Sequence, residues 1–316
     1  MPRAHKSRSG SLQYWPRKRA QKETARVRSW PKVDKAMLLG FPAYKTGMTH
    51  AQVQVNNPHS RLKNDLFSIP VTILECPAIK PFSLRFYKKT PYGLKTVSEI
   101  LNKNFDKDLA RKLRLPKKQM TNELPNDYDD VRLICSTQPK ITSIGKKKPE
   151  VLEIGIGGPL ESKAEYGKSW FDKEIKIGDV FKGNQLVDVH GVTKGKGFQG
   201  TIKRFGLSLK AKKSEKKKRS TGNLGAVTPS KVLYTVPQAG KMGYHLRTEV
   251  NKQILKIEPY SKETIPKNGF RHYGLVKNTY LILKGSVFGP RKRLLTLTQP
   301  MRNKKVYAYE IKRIVL

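Results

Sequence analysis

The sequence predicts a mainly β protein, a barrel or a sandwich, with a small inserted α/β subdomain and long basic extensions. Short apolar runs punctuated by glycine and proline, such as residues 51–55 and 69–74, have the pattern of strands. Apolar residues at helical spacing occur between residues 97 and 113. The 65 Lys and Arg residues outnumber 24 Asp and Glu residues, and the net charge of +41 is concentrated in separate segments.

Four kinds of segment follow from this pattern. Residues 1–36 form a basic N-terminal extension without apolar periodicity, which we expect to become ordered only on a partner. The β core comprises residues 37–75 and 151–316, and the α/β subdomain comprises residues 76–150. Residues 191–250 form a long basic internal loop within the β core.

In the α/β subdomain, Val97, Ile100 and Leu101 begin a helical pattern that continues through Phe105, Leu109 and Leu113. The alternation of Val131, Leu133 and Cys135 then predicts a strand. Further strands are predicted at residues 36–41, 151–156, 186–189, 232–236, 280–283 and 307–316.

Composition excludes several classes of protein. A hydrophobic content of 37% is too high for a wholly disordered chain. We expect no transmembrane helix, since no apolar run approaches about 18 residues, and no secretory signal, since no apolar block follows Lys6. Cys76 and Cys135 lie singly in apolar runs, which predicts buried thiols and neither a disulfide framework nor a zinc site. These features favour the cytosol.

The positive charge lies in three separated regions, which predicts a polyanionic partner. Residues 1–35 and 190–222 each hold eleven Lys or Arg residues, and residues 284–313 hold nine. The second region also has six glycines, which allow the backbone to approach phosphates closely. We expect RNA to contact several sides of the protein, because no single groove-reading helix is evident.

The run from Gly195 to Gly200 matches GxGxxG, the dinucleotide-binding pattern. We do not expect a nucleotide cofactor, because residues 201–206 lack an apolar helical face and the nearby acid, Glu215, lies in a lysine run. A glycine-rich loop that follows a nucleic-acid backbone fits better.

Two other groups of residues could suggest chemistry. Asp127, Asp129 and Asp130 form an acidic cluster, which we interpret as a solvated turn rather than a magnesium site. His245 and His272 lie among basic and aromatic residues, where contact with bases or phosphates is plausible.

Longer motifs resemble a known family. Residues 191–200 and 238–249 are similar to motifs of the large-subunit ribosomal protein three family, and so are residues 2–12 and 45–49. The resemblance covers essentially the whole chain, and the basic leader and inserted subdomain are typical of the archaeal and eukaryotic branch.

This resemblance implies a six-stranded barrel of the translation-protein type and a structural, non-catalytic protein without a cofactor or small-molecule substrate. It implies primary binding near the 3′ end of the large-subunit rRNA, nucleation of subunit assembly, and an internal loop that approaches the peptidyl transferase centre. The implied neighbours are ribosomal proteins fourteen and twenty-four-e, and the implied location is the cytoplasmic large subunit.

At the implied loop tip, many archaeal and eukaryotic relatives carry a Trp, and bacterial relatives carry a modifiable glutamine. Here Val227 and Thr228 occupy these positions, so a stacking aromatic is absent. The tip residues are Gly225, Ala226, Val227, Thr228 and Pro229.

Basic residues of the extension and the loop are the candidates for contact with RNA. They are Arg3, His5, Arg8, Arg17, Lys18, Arg19, Lys194, Lys196, Lys203, Arg204, Lys212, Lys213, Lys216, Lys217, Lys218, Arg219, Lys231, Lys241, His245 and Arg247.

Two other classes of function compete with structural RNA binding. An RNA-modifying enzyme would bind a nucleotide at the glycine-rich loop, and it predicts saturable binding of a dinucleotide or methyl donor. A polybasic membrane-surface protein would need apolar residues interleaved with the lysines, and we expect no membrane partner, because the lysine run lacks Leu, Phe and Trp.

Overall fold

The computed structural model describes residues 10–56, 65–104, 106–116, 124–213, 217–260, 266, 268–302 and 304–315. Within them the chain is mainly β. It divides into two compact units: the body, which comprises residues 22–192 and 247–316, and the basic unit, which comprises residues 1–21 and 193–246.

The strands, in chain order, are β1 (Gly40–Val55), β2 (Leu66–Glu75), β3 (Lys80–Thr90), β4 (Gly93–Leu101), β5 (Asp130–Ser136), β6 (Val151–Gly155), β7 (Leu186–Val192), β8 (Phe198–Gln199), β9 (Gly240–Lys241), β10 (Leu246–Glu258), β11 (Tyr280–Lys284), β12 (Leu294–Thr298) and β13 (Tyr309–Val315). The α-helices are α1 (Leu160–Lys168) and α2 (Thr201–Phe205). Short 3₁₀ helices occur at Leu12–Tyr14, Lys107–Arg111, Pro139–Ile141 and Ile177–Asp179.

A seven-stranded sheet dominates the body. Its strands follow the order β12-β7-β10-β11-β2-β1-β13, and β12 additionally pairs with β1. The long β1 makes this possible, because Gly40–Tyr44 pair with β12 while His50–Val55 pair with β13 along the same edge. Its other edge pairs antiparallel with β2.

The core of the body consists of aliphatic and aromatic side chains from these strands. Val71, Ile73, Val187, Val189 and Ile282 are fully buried. Such β-branched residues favour extended backbone and pack closely on a pleated surface. The apolar runs in β2, β7 and β11 confirm the strands predicted there.

A four-stranded antiparallel sheet, β4-β3-β5-β6, forms the inserted part of the body. The helix α1 follows β6 and packs on β5 and β3. At Gly167 in this helix a Cβ atom would lie 2.4 Å from the Leu84 side chain, so the absence of a side chain permits the close approach.

The inserted sheet corrects the predicted α/β subdomain in three respects. The helix predicted from Val97 is instead β4, an edge strand in which Ile100 is buried and Val97 is half exposed; Phe105 lies outside the described residues. Near Leu109 there is a short 3₁₀ helix. Finally, β6 at Val151–Gly155 pairs with β5, so this sheet extends past the predicted boundary at residue 150.

Two further predictions are wrong. Residues 232–236 do not form a strand, and Val232 and Leu233 are about half exposed. Residues 22–36, predicted to belong to an extension that is ordered only on a partner, are instead part of the body: Ala25 and Val27 are buried, and the Val33 carbonyl accepts from the Gly158 amide at 2.7 Å.

The two cysteines are buried and free, as the sequence predicts. Burial raises the pKa of both the Cys76 and the Cys135 thiol. Both side chains therefore act as small apolar groups at neutral pH.

The packing of Trp30 provides a test of how residues 22–36 pack on β6. A Cβ atom at Gly155 would lie 2.6 Å from the Trp30 ring, whereas one at Gly178 would meet nothing within 4 Å. We expect Gly155→Ala to lower the free energy of unfolding by about 1–3 kcal/mol through overpacking, and Gly178→Ala to change it by less than about 0.5 kcal/mol.

The measurement is thermal and urea unfolding of the two variants and the parent chain, followed by circular dichroism. Equal stabilities for Gly155→Ala and Gly178→Ala would show that Trp30 does not rest on β6.

Candidate nucleic-acid interface

The basic unit holds 19 Lys and Arg residues and a single acid, Glu215. Glu215 lies outside the described residues, so the described part of this unit contains no carboxylate side chain. No ion pair between two described residues of this unit is therefore possible. Among these residues, backbone hydrogen bonds and packing provide the stabilisation, in spite of strong charge repulsion.

A short β ribbon forms the centre of the basic unit. Phe198 of β8 pairs with Lys241 of β9. Hydrogen bonds extend the ribbon: the Lys196 amide donates to the Met242 carbonyl at 2.9 Å, and the Met242 amide donates to the Gly197 carbonyl at 2.9 Å. The glycine-rich motif therefore serves to form this ribbon.

Two glycines of the ribbon are required by geometry. Gly243 has a φ of +77°, and a Cβ atom there would lie 2.1 Å from the Lys194 carbonyl oxygen. Gly197 has a φ of +67°, in the left-handed region that favours glycine. These residues allow the two strands to approach and turn.

The same geometry argues against a dinucleotide loop. The motif needs a parallel strand followed by a helix whose N-terminus receives a pyrophosphate. Here β7 pairs antiparallel with β12, and α2 has only five residues before Gly206 ends it with a φ of +66°.

The N-terminal residues 10–21 pack along the ribbon. The Ala20 amide donates to the Tyr244 carbonyl at 2.8 Å. The His245 Nδ1 lies 2.7 Å from the Lys18 carbonyl, and because a carbonyl only accepts, Nδ1 carries the hydrogen. His245 is buried, so it positions the N-terminal residues, contrary to the expectation that it faces RNA.

An aromatic cluster joins the N-terminal residues to α2. The rings of Trp15 and Phe205 stack with centroids 6.3 Å apart, and Tyr234 meets Trp15 edge-on at 5.7 Å. The guanidinium of Arg17 lies 4.4 Å from the Phe205 centroid, and that of Arg204 lies 5.1 Å from it. These cation–π contacts stabilise the cluster without neutralising the arginines.

Arg204 also braces the ribbon. Its Nε donates to the Lys241 carbonyl at 3.0 Å, and its Nη1 donates to the Gln238 carbonyl at 2.8 Å. Partial burial lowers the pKa of the guanidinium, which still remains protonated at neutral pH. Arg204 is therefore a structural residue as well as a candidate for contact with phosphate.

Most of the predicted basic residues lie on the surface. The exposed ones are Lys18, Arg19, Lys194, Lys196, Lys203, Lys212, Lys213, Lys217, Lys218, Arg219, Lys231 and Lys241. Arg17 and Arg204 are partly buried, and Arg247 belongs to the body and is also partly buried. Arg3, His5, Arg8 and Lys216 lie outside the described residues.

The five tip residues, Gly225 to Pro229, are all exposed, and the Val227 side chain is 89% exposed. The Asn223 side chain accepts from the Gly225 amide at 2.8 Å and shapes the turn before them. The tip thus presents small and aliphatic groups rather than a ring.

Sequence reasoning missed three exposed aromatic side chains of the basic unit. Tyr14, Phe198 and Tyr234 are 52%, 74% and 70% exposed. Rings among phosphate-binding lysines are suited to stacking on unpaired bases. The sequence feature that could have identified them is that each lies in a basic stretch. This feature alone does not predict exposure, because Trp15 also lies in a basic stretch and packs against Phe205.

The other predicted groups lie in the body. Asp127 forms an ion pair with Lys88, the Asp129 carboxylate accepts from the Lys89 amide at 2.6 Å, and Asp130 pairs with Arg132 and Lys163. His272, with a φ of +63°, is an exposed turn residue. Among the described residues no cluster of His, Cys, Asp and Glu side chains is suited to hold a metal ion.

In the part of the chain that the structure describes, no helix is long and apolar enough to span a membrane.

Comparisons with known proteins give one consistent result. A family model described as Ribosomal protein L3 matches residues 1–312. The large ribosomal subunit protein uL3 of Methanocaldococcus jannaschii is 45% identical over 308 residues, which cover 94% of this chain and 92% of that protein. The protein of the same name from Methanothermobacter thermautotrophicus is 45% identical over 315 residues, 96% and 94% of the two chains, and that of Methanococcus aeolicus is 44% identical over 308 residues, 95% and 92%.

The contacts of Arg204 provide a test of the basic unit. We expect Arg204→Ala to lower the protection of the Lys196 and Met242 amides against hydrogen exchange about tenfold or more, because the variant cannot form the two charge-assisted bonds. The neighbouring Lys203→Ala is the matched control, since Lys203 is exposed.

Hydrogen exchange followed by mass spectrometry measures this effect in the full chain. Equal protection in both variants would mean that Arg204 does not brace the ribbon. The thermal transition of the body should be unchanged, because the described contacts of Arg204 lie within the basic unit.

Proposed function

The chain belongs to the Ribosomal protein L3 family, and on this premise we propose that it is a structural constituent of the large ribosomal subunit that binds rRNA. The family is one of structural proteins and not of enzymes. One observation carries the proposal of RNA binding: a compact unit of the chain bears 19 basic residues against one acid. A surface of this charge requires a polyanion, and phosphates neutralise it with release of counterions.

Each proposed contact between a lysine and a phosphate is independent of the RNA sequence. Exposed lysines of the basic unit would contact phosphates and fix the register of the RNA. The exposed rings of Phe198 and Tyr234 would stack on unpaired bases and give the contacts their selectivity for loops over duplex.

The resemblance to the family also suggests a more specific role in the large subunit. We propose primary binding near the 3′ end of the large-subunit rRNA, early nucleation of assembly, and an approach of residues 225–229 to the peptidyl transferase centre. The proposed neighbours are ribosomal proteins fourteen and twenty-four-e, and the proposed location is the cytoplasmic large subunit. The exposed and aliphatic tip supports a role in filling space rather than in stacking.

We also propose that the body contains the six-stranded barrel of the translation-protein type. The order of pairing supports this, since β12, β7, β10, β11, β2 and β1 pair in succession and β12 also pairs with β1. Such a closed set of strands would leave β13 as an appended strand on β1. The barrel domain was predicted to comprise residues 37–75 and 151–316. Residues 151–155 pair with β5, so in this proposal they belong to the inserted sheet and not to the barrel.

The lysine run provides the test of RNA binding. Lys217, Lys218 and Arg219 are exposed, so their joint replacement by Ala should weaken binding to a large-subunit rRNA fragment. The slope of log affinity against log salt should become shallower by about 2–3, at roughly 0.7–0.9 for each phosphate that the variant no longer binds.

The matched control replaces three exposed lysines of the inserted sheet region, Lys147, Lys148 and Lys168, by Ala. Filter binding between about 50 and 200 mM salt covers the range in which phosphate contacts dominate. The melting temperature of the body should be the same in both variants. A parent chain with a flat salt response would refute the proposed function itself, whereas equal slopes for the two variants would exclude only the lysine run.

A further inference from the structure

Outside the basic unit, the β3–β4 hairpin carries an unexplained surface. Its tip places Tyr92 in solvent, with an exposed fraction of 102%, so both faces of the ring are open. Residues 76–180 contain 14 of the 24 acids in the chain, so this region has a more mixed charge than the basic unit.

The tip is well ordered by local contacts. Thr90 pairs with Gly93 across a two-residue turn, and the Thr90 hydroxyl donates to the Gly93 carbonyl at 2.7 Å. Gly93 has a φ of +121°, a conformation that glycine adopts without strain. The Lys89 amide donates to the Asp129 carboxylate at 2.6 Å and fixes the hairpin to the turn before β5. The ring of Tyr92 is thus presented from a fixed backbone.

Three lysines of the hairpin, Lys88, Lys89 and Lys95, lie close to two carboxylates, those of Asp127 and Asp129. Lys88 and Lys95 lie directly opposite each other on the two strands, an arrangement of like charges that costs stability. Lys89 is exposed on the next pair. Asp127 pairs with Lys88, and Asp129 accepts the Lys89 amide. Among the described residues neither the Lys89 nor the Lys95 ammonium has an ion-pair partner.

We propose that the β3–β4 hairpin is a second RNA contact site, in which an unpaired base stacks on Tyr92 and the flanking phosphates bind Lys89 and Lys95. This inference rests on the proposed rRNA binding and adds a site in the body. An open aromatic ring between free cations is the combination that binds single-stranded nucleic acid. An acidic peptide would neutralise the lysines but would leave both faces of the ring in water, so RNA is the better fit.

Photo-cross-linking tests the identity of the partner. The full chain with Tyr92→p-benzoylphenylalanine is assembled into large ribosomal subunits and irradiated. We expect a cross-linked product whose mobility changes on treatment with ribonuclease. A product that only protease alters would assign the hairpin to a protein partner and overturn the proposal. The absence of any product would show that the tip faces solvent, with the same consequence.

Binding measurements separate the two kinds of contact. With large-subunit rRNA and the purified full chain, Tyr92→Ala should weaken binding by roughly tenfold, within the range found for removal of one stacked base, and should leave the salt slope unchanged. Tyr92→Phe should restore affinity, because it keeps the ring. The double variant Lys89→Ala/Lys95→Ala should make the slope shallower by about 1.4–1.8, for two phosphates.

The control for the double variant is Lys168→Ala/Lys173→Ala, which removes two exposed lysines of the same region. Equal affinity of Tyr92→Ala and the parent, or equal slopes for the two double variants, would overturn the hairpin site. The proposed function would survive either result, since it fails only if the parent chain itself does not bind rRNA.

Discussion

Stacking of arginine on aromatic rings is the interaction on which the basic unit depends. Its described residues contain no carboxylate side chain, so attraction between opposite charges cannot order them. Arg17 and Arg204 both lie over the Phe205 ring, and Trp15 stacks on the same ring. This arrangement keeps the guanidinium groups charged while it places their planes against apolar surface. Such a unit can be folded and still carry the full charge that phosphates require.

The inserted sheet of the body, in contrast, contains carboxylates that pair with its basic side chains. Glu153 receives both Arg85 and Arg132, and Asp130 receives Arg132 and Lys163. These partly buried pairs neutralise one another and hold β3, β5, β6 and α1 in register, so they are unsuited to recruit an external anion. The basic unit and the inserted sheet therefore differ in where their carboxylates lie. At the hairpin tip Lys88 has a carboxylate partner, whereas Lys89 and Lys95 have no ion-pair partner among the described residues.

The elements that could be predicted from the sequence were those whose burial is encoded locally. The apolar runs of β2, β7 and β11 were recognisable because each strand lies between two others in the sheet and most side chains of each run are buried. The strand β4 resembled a helix because an edge strand buries few residues, and its apolar positions then fall at any spacing. The role of His245 was missed because its partner is the carbonyl of Lys18, far away in the chain. The exposure of most candidate basic residues could be anticipated from the sequence, but the open ring of Tyr92 depends on a turn that composition does not reveal.

The bond between Ala20 and Tyr244 has a consequence for the order of events during synthesis. The first segment leaves the ribosome exit tunnel long before its partner exists, and at about 5–20 residues per second the delay is roughly ten seconds or more. During that interval Trp15 and its neighbouring arginines have no ring of α2 to cover them. A nascent chain of this protein therefore leaves the Trp15 ring and the Arg17 guanidinium uncovered until α2 has been synthesised.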